Sequence, residues 1–435
     1  MSRRSIVVAL AFCSAVAQAA CEGRVQPPAL TTPPTNVAPE EGGFVVTNAL
    51  VFDGERFREG NVYVRGATIE GFVDEAPRGA EIVDGRGHTL LPGLVDAHTH
   101  IGTSTEHLRR FVEHGVTTAV DLFGPPRLVA KLRADETSKE SAGRAALVGA
   151  GNLATVPKGH GTEYGVPIPT LERPEEARAF VSARRAEGSE ILKIVFDTST
   201  NDVGGQENAM PTLGLETVRA LVTEGRANGL PVVVHTGGCG DIAKVLEARP
   251  DVIAHGCALP PGDPLPGALA ASGAYFNPTL AVQLRPCGLE YWIPMVADPE
   301  IAARLTEEER ARLGKDRHEH DAACSGARLR FVGEAARAGV KLLAGPDAPN
   351  RRIPIGASLL AELDLIAQAG VPIEHVLASA TSHPARAYRL ADRGRIAKGM
   401  RADLLLVLGD ARASVRAVWH TRKVWRSGAL GWARP

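Results

Sequence analysis

The fold class that the sequence predicts is α/β: a (β/α)8 barrel with a small β-sandwich domain built from both chain ends. Between residues 91 and 394, short apolar runs alternate with longer helix-like segments. This alternation is typical of βα units around a parallel sheet. Residues 44–90 and 395–432 instead contain short strand-like runs punctuated by turn residues, which predicts the smaller domain. With 435 residues, 44% of them hydrophobic, the chain can bury one large core and a satellite.

Eight apolar runs are the candidate barrel strands. They span residues 91–97, 117–122, 145–149, 191–196, 232–234, 252–254, 274–276 and 341–344. Eight parallel strands with intervening helices close into a barrel, and the carboxyl ends of all the strands then meet at one face. Side chains that follow these runs are therefore expected to converge.

The N-terminus is typical of an export signal. Arg3 and Arg4 precede an apolar run over 6–12, and small residues follow up to Ala20. The run is too short to stay in a membrane as a spanning helix, so residues 1–20 are predicted to be a cleaved signal peptide. We therefore expect an exported protein, in the bacterial periplasm or anchored to a membrane as a lipoprotein.

Cys21 leaves two interpretations of the cleavage site open. Small residues followed by Cys resemble the lipobox of bacterial lipoproteins, in which the Cys becomes the acylated first residue, although Gln18 stands where Leu is usual. Ordinary cleavage near Ala19 or Ala20 is the alternative. Residues 21–43 are rich in Pro and Thr and are predicted to be a linker in either case.

Four cysteines lie beyond the signal region: Cys239, Cys257, Cys287 and Cys324. An exported protein can form disulfides, and Cys287–Cys324 is one pairing that the sequence leaves open. The absence of CxxC spacing argues against a zinc site built from cysteines. Cys239 and Cys257 are interpreted as pocket-lining residues or buried apolar fillers.

The charge balance argues against a nucleic-acid partner, and a small-molecule substrate is expected instead from the resemblance given below. With 49 basic and 50 acidic residues the net charge is −1, without the basic excess that nucleic-acid binding usually brings. The oligomeric state stays open, and a homo-oligomer formed through the small β-domain is one expectation.

A pair of histidines ends the first barrel run, LLPGLVDAHTH. Alternate residues of an extended strand point to the same face, so His98 and His100 aim two imidazoles at one point. An HxH pair alone is a weak signal, because two unrelated surface histidines have the same spacing. The other apolar runs provide the further evidence.

Four more metal-competent residues lie in or directly after apolar runs: Lys193 in ILKIVF, His235 after PVVV, His255 after DVIA and Asp347 after LLAGP. A lysine inside a buried strand is costly unless it is paired or modified. Because strand carboxyl ends share one face of a barrel, these groups and the HxH pair are predicted to converge on one metal site.

These motifs resemble the amidohydrolase superfamily, binuclear-metal type. The segments that carry the resemblance are LLPGLVDAHTH, GVTTAVDL, ILKIV, PVVVHTGG, DVIAHG and LLAGPD, together with the C-terminal stretch SATSHPARAYRLADRGRIAKGMRADLLLVLGD. The resemblance covers about residues 44–430. ILKIV and the GHG at 159–161 resemble more narrowly the branch of imidazolonepropionase-like proteins and Xaa-Pro dipeptidases.

The resemblance implies a site with two divalent metal ions. Its imidazole and oxygen ligands suit zinc best, and manganese, cobalt and iron are the alternatives. The implied ligands are His98, His100 and Asp347 for the more buried ion and His235 and His255 for the other, with Lys193 carboxylated and bridging both. Asp347 is also the implied catalytic base and then acid. In the loop 158–165, His160 and Tyr164 are the candidate substrate contacts.

The implied reaction is hydrolysis of an amide C–N bond in a small molecule, such as a dipeptide or an N-acyl amino acid, by a metal-bridging hydroxide. A lactonase or esterase would use the same two-metal site. A cyclic-amide hydrolase or deaminase would use one metal, and Lys193 argues against it because a carboxylated lysine serves to bridge two ions. A non-catalytic assembly protein is the remaining alternative, and the six filled ligand positions argue against it.

Overall fold

The structure is a computed structural model that describes residues 42–135, 139–198, 210–313 and 319–434. The predicted signal peptide, Cys21 and nearly all of the predicted linker lie outside the described residues. Within these ranges, no helix combines the length and the apolar character that a membrane crossing requires.

Strands from both ends of the described chain form two neighbouring sheets. The N-terminal strands are β1 (Phe44–Thr47), β2 (Leu50–Phe52), β3 (Phe57–Glu59), β4 (Asn61–Arg65), β5 (Thr68–Val73), β6 (Glu81–Asp84) and β7 (His88–Pro92). The C-terminal strands are β15 (Leu404–Leu408), β16 (Thr421–Arg426) and β17 (Ala429–Ala433), numbered after the central strands given below. One sheet has the order β5-β4-β1-β6 and the other β17-β16-β15-β7-β2-β3.

The two sheets share one apolar core. Phe44 and Ile69 of the first sheet lie in the same buried cluster as Leu404 and Trp425 of the second. The rings of Phe44 and Trp425 stack with their centroids 5.1 Å apart. The antiparallel pairing of β7 with β15 joins the two chain ends, and the division into domains at residues 90 and 395 remains a prediction.

The middle of the chain forms parallel strands. They are β8 (Leu94–Thr99), β9 (Val116–Asp121), β10 (Ala146–Gly149), β11 (Leu192–Phe196), β12 (Val232–Thr236), β13 (Val252–Ala254) and β14 (Tyr275–Asn277). They pair in the orders β10-β9-β8 and β11-β12-β13-β14. Every residue of β8 to β11 is buried, so none of these strands has an exposed face.

Backbone hydrogen bonds connect the two parallel sheets at both edges. Ala154 accepts from Val195 and donates to Lys193, which links the β10 side to β11. On the other side, the segment 341–344 bonds to Phe276 of β14 and, through the carbonyl of Ala344, to Ala97 of β8. The fold is therefore mixed α/β, with hydrogen bonds that lead from β8 round to β14 and back.

The eighth predicted run differs from a regular strand. Within 341–344 a single parallel bridge, between Phe276 and Leu342, replaces a ladder. The segment ends in Gly-Pro-Asp, and Asp347 has a φ of 65°, so the extended backbone stops after a few residues. The first run, 91–97, is also divided, because its start belongs to β7 and its end to β8.

Helices connect the parallel strands. Before β14 they are α1 (Glu106–Glu113), α2 (Pro126–Ala134), α3 (Ala177–Ala186), α4 (Leu215–Ala227), α5 (Cys239–Val245) and α6 (Leu265–Ser272). The later helices are α7 (Leu280–Gln283), α8 (Ile293–Ala297), α9 (Pro299–Arg304), α10 (Glu307–Leu313), α11 (Ala322–Arg337), α12 (Ala357–Gln368), α13 (Ile373–Ser379) and α14 (Ser382–Ala387). In α4, the buried face that includes Val218, Leu221 and Val222 follows the helical period.

A disulfide fixes the segment between β14 and the last parallel segment. Cys287, which follows α7, is bonded to Cys324 in the first turn of α11. The carbonyl of Cys287 also accepts a hydrogen bond from the amide of Asp321, the N-cap of α11. This pairing is the one that the sequence left open.

Candidate metal centre

Two segments from distant parts of the sequence place the first three candidate ligands. His98 lies in β8, His100 follows it, and Asp347 follows the segment 341–344. The amide of Asp347 donates to the carbonyl of His98, and the amide of His100 donates to the carbonyl of Ala348. Gly345 permits this approach, since a Cβ there would lie 2.4 Å from the backbone nitrogen of His98.

His98, His100 and Asp347 form what we call the aspartate group. One ligand atom of each lies within 4.8 Å of the others. Oδ1 of Asp347 is 2.9 Å from Nε2 of His100 and 3.5 Å from Nε2 of His98. Two imidazole nitrogens and one carboxylate oxygen therefore face a common point.

A buried amide fixes the imidazole of His98. Nδ2 of Asn277 donates to the carbonyls of Leu343 and Gly345, so its Oδ1 must be the atom that faces Nδ1 of His98, at 2.8 Å. Nδ1 of His98 therefore carries the proton and donates a hydrogen bond to Oδ1 of Asn277. The lone pair of His98 is then on Nε2, which points at Asp347.

His235 and His255 form a second group, which we call the histidine pair. His235 lies in β12 and His255 directly follows β13, and their ring centroids are 4.3 Å apart. The ring of His255 is also 5.1 Å from that of His98, so the histidine pair adjoins the aspartate group. His255 has a φ of 77°, an uncommon conformation for a residue with a side chain, and its Nδ1 lies 3.0 Å from Oγ1 of Thr279.

Lys193 brings a buried amine to the centre. It lies in the middle of β11, and its Nζ is 3.5 Å from Nε2 of His98. Among the residues that the structure describes, no carboxylate lies within ion-pair distance of Nζ. Burial lowers the pKa of Lys193 to about 8, even though the charge of Asp347 acts in the opposite direction.

The electrostatics of the site favour neutral imidazoles and an ionised carboxylate. Burial lowers the pKa of His235 to about 4 and holds those of His98 and His255 well below the ordinary value. For Asp347, burial acts to raise the pKa, but the facing His98 and His100 outweigh it and the net pKa is lowered. Neutral imidazole and ionised carboxylate are the states that bind divalent metals.

The two predicted substrate contacts lie at different depths. The ring of His160 stacks on that of His235 with centroids 4.8 Å apart, and its Nδ1 is 2.7 Å from Oε1 of Glu163. Tyr164 is 60% exposed, and its ring lies 6.1 Å from those of His160 and Phe123. Partial burial and the carboxylates of Glu163 and Asp347 raise the pKa of Tyr164 to about 12, so its phenol keeps the proton.

The interpretation of Cys239 and Cys257 as apolar fillers is wrong, because the structure joins them in a disulfide. Cys239 begins α5, four residues after His235, and Cys257 lies two residues after His255. The bond therefore ties together the two loops that carry the histidine pair. The signal in the sequence was that each cysteine lies within four residues after a predicted ligand.

Other residues at the centre were absent from the prediction. Oδ2 of Asp197 lies 3.6 Å from Nε2 of His235. Asp197 directly follows β11, so the rule that selected Asp347, a carboxylate just after an apolar run, would also have found it. Asn277 and Thr279 support His98 and His255 from the end of β14, and neither residue type marks a metal site in a sequence.

The residues present fit divalent metal binding. The aspartate group offers a converging set of imidazole and carboxylate donors, with His98 held in the required tautomer. The histidine pair adds two neutral imidazoles on adjacent strands. Lys193 lies beside His98 as a buried amine without a described counter-ion.

Comparison with known proteins finds relatives in sequence and in fold. A segment of the chain is 33% identical to an N-acyl-D-aspartate deacylase from Alcaligenes xylosoxydans xylosoxydans, and the match covers 21% of this chain and 24% of that protein. The chain therefore spans about a quarter of the length of this relative.

Solved structures share the fold over most of both chains. A protein from Bifidobacterium longum that is assigned as a prolidase has a TM-score of 0.70 and 24% identity, with 91% of this chain and 95% of that chain covered. A Xaa-Pro dipeptidase with bound methionine in its active site has a TM-score of 0.70 and 21% identity, with 90% and 100% covered.

The family assignment rests on most of the chain. The model of the amidohydrolase family matches residues 89–430, which includes all six candidate ligands. The chain therefore belongs to the amidohydrolase family.

Proposed function

We propose that this protein hydrolyses an amide C–N bond in a small molecule, such as a dipeptide or an N-acyl amino acid, at a two-metal site in the mouth of a (β/α)8 barrel. The observation that carries the proposal is the meeting of the aspartate group, the histidine pair and Lys193 at one place. The continuous hydrogen bonding from β8 to β14 and back supports the barrel.

The six residues divide into two sets of ligands with one bridge. The aspartate group would hold one divalent ion and the histidine pair the other, with zinc as the metal that imidazole and carboxylate donors suit best. Divalent ions supply two things to amide hydrolysis: activation of water near neutral pH and polarisation of the substrate carbonyl.

Lys193 is proposed to be carboxylated on Nζ. Its neutral amine would add to CO2 and lose a proton, leaving a carbamate anion between the two sets of ligands. The lowered pKa supports this, because more of the amine is neutral near pH 7 than in an exposed lysine. A carbamate would also remove the cost of burying a lone ammonium group.

Asp347 is proposed to move the proton during the reaction. Its carboxylate is ionised at neutral pH, because His98 and His100 stabilise the charged form. It would accept a proton from the attacking water and pass that proton to the leaving nitrogen. His160 and Tyr164 would contact the substrate from the outer side, with Glu163 orienting His160.

The relatives support an amide as the class of substrate but do not identify the substrate itself. The deacylase match covers a small part of each chain, and the dipeptidase likeness is one of fold. Fold alone does not fix a substrate, so dipeptides and N-acyl amino acids are the class to be tested.

Export to the periplasm, with or without a lipid anchor at Cys21, completes the proposal. Two disulfides in one chain support it, because such bonds persist in oxidising compartments and are rare in the cytosol.

The test is the metal content of purified protein, wild type against Lys193→Ala, together with hydrolysis of a panel of dipeptides and N-acyl amino acids. We expect about two ions per chain in the wild type and about one or fewer in the variant, because the bridging anion is lost. Lys341→Ala, on a lysine outside the centre, serves as the control and should keep two ions.

Each alternative gives a different result. One ion per chain, unchanged in Lys193→Ala, would support the one-metal cyclic-amide hydrolase or deaminase. No ion and no hydrolysis would support the assembly protein. Two ions with hydrolysis of lactones and esters, but not of amides, would move the proposal to the esterase class.

A further inference from the structure

A cavity of about 770 Å³ opens directly beside the candidate metal centre. It is lined by His100 and by the loops that follow β8, β9, β10 and Asp347. Its volume falls within the range of small-molecule sites, roughly 300–1,000 Å³. Because His100 lines this cavity and belongs to the aspartate group, a substrate at the centre can extend into it.

The wall of this cavity is largely apolar. Phe123, Pro125, Tyr164, Val166 and Pro167 all line it. Tyr164 and Val166 are 60% and 57% exposed, which is high for large side chains with apolar surface. A patch of exposed apolar surface beside a polar site is a mark of ligand binding rather than of a random surface.

The aromatic part of the wall is held in place. The amide of Phe123 donates to Oδ1 of Asp121, at 2.9 Å, and Asp121 is the buried last residue of β9. The rings of Phe123 and Tyr164 lie 6.1 Å apart at 41°, within the range of tilted aromatic contacts. Two neighbouring aromatic side chains therefore line the cavity.

A second cavity shows the contrast. It measures about 350 Å³ and is lined mainly by charged or polar side chains, including Glu106, Arg110, Glu308, Glu309 and Arg312. None of the six candidate ligands lines it. Of these two cavities, only the apolar one is continuous with the site where the chemistry is proposed.

We propose that the apolar cavity selects amide substrates that carry an aromatic ring, and that Phe123 and Tyr164 determine this specificity. The proposal rests on the function proposed above, because it takes the aspartate group as the reacting end of the site. It assigns a substrate feature, the ring, to a part of the protein outside the metal ligands.

The experiment compares substrates that differ only in a ring. Gly–Phe is paired with Gly–Ala, and Phe–Gly with Ala–Gly, so that the ring lies on the amine or the acyl side. All four have the same net charge. This matters because Arg127 also lines the cavity and, among the described residues, has no ion-pair partner.

The wild type should hydrolyse at least one ring-bearing dipeptide with a kcat/KM about tenfold or more above its alanine counterpart, the scale of apolar discrimination. Phe123→Ala should remove most of this preference, mainly by lowering kcat/KM for the ring-bearing dipeptide. Phe72→Ala is the matched control. It removes a partly buried phenyl ring from β5 and should preserve the preference.

Binding of reduced-amide analogues of the same dipeptides separates this proposal from the proposed function. Tighter binding of the ring-bearing analogue that is lost in Phe123→Ala, without hydrolysis of any dipeptide, would keep the cavity assignment and reject dipeptide hydrolysis. If the wild type binds each ring-bearing analogue no more tightly than its alanine counterpart, the cavity assignment is overturned, whether or not hydrolysis occurs. If Phe123→Ala loses the same factor of affinity for a ring-bearing analogue and for its alanine counterpart, the cavity assignment is also overturned.

Discussion

The aspartate group and the histidine pair are built in different ways. The aspartate group contains its own anion, and backbone hydrogen bonds between its two segments hold it together. The histidine pair has no carboxylate among its own members, and a disulfide joins its two loops just beyond the side chains. Asp197 approaches His235 no closer than 3.6 Å.

The difference shows what each half needs in order to bind a divalent ion. The aspartate group can offset part of the metal charge by itself, through Asp347. The histidine pair depends on an anion from elsewhere, and we propose that a carboxylated Lys193 supplies it, since Nζ lies 3.5 Å from Nε2 of His98 and its charge acts on both His235 and His255. Changes to the two groups are therefore expected to have unequal effects, and the predictions below are ordered by their size.

The largest effect is expected from Asp347→Asn. The change keeps the shape of the side chain but removes the carboxylate that is proposed to accept and return the proton, so kcat should fall by about 10³-fold. The measurement is kcat at saturating substrate, with metal content determined on the same sample. Asp197→Asn removes the carboxylate beside the histidine pair and should lower kcat by less than about tenfold. Equal losses in the two variants would contradict the division of roles.

An intermediate effect is expected from the residues that orient the imidazoles. Asn277→Ala removes the acceptor for Nδ1 of His98 and should weaken metal binding at the aspartate group by about 100-fold, near the upper end for such partners. Thr279→Val removes the contact with Nδ1 of His255 and should cost about tenfold at the histidine pair. Competition titrations with a chelator measure both. The reverse order of the two effects would show that Asn277 does not fix the tautomer.

The smallest effect is expected from the disulfide beside the histidine pair. The double variant Cys239→Ser/Cys257→Ser should release one ion to a chelator roughly five- to tenfold faster and leave the other unchanged, because it loosens the outer support of only two ligands. The variant Cys287→Ser/Cys324→Ser, which removes the disulfide between the α7 side and α11, is the control for lost stability. The same acceleration in both variants would assign the effect to global destabilisation.

Much of the candidate metal centre could be predicted because the fold brings residues from separate sequence motifs to one place. The HxH pair indicates a metal site only if the carboxyl ends of several strands meet at one face. The apolar runs before His235, His255 and Asp347 mark the ends of those strands in the sequence. The buried position of Lys193 was readable for the same reason, since ILKIVF has no polar face to expose it.

What the sequence did not predict depends on contacts between distant loops. The Cys239–Cys257 bond requires that the loops after β12 and β13 lie side by side at a particular distance. Asn277 acts through the geometry of its amide, which no spacing rule marks. The eighth run, residues 341–344, was predicted to be a regular strand. In the structure it makes one isolated bridge to β14 and a hydrogen bond to β8, and this does not amount to a strand ladder.

The pairing of β7 with β15 has a consequence for the order in which the molecule is completed. Thr89 and Gly409, which are hydrogen bonded across this junction, are 320 residues apart in the chain. A growing chain has made all six candidate ligands once residue 347 is added, yet β15 to β17 are still to come. Until they arrive, β7 presents an unpaired edge next to β8, and such edges invite mispairing. We therefore expect the metal centre to gain its final rigidity late in synthesis, when the last strands cover that edge.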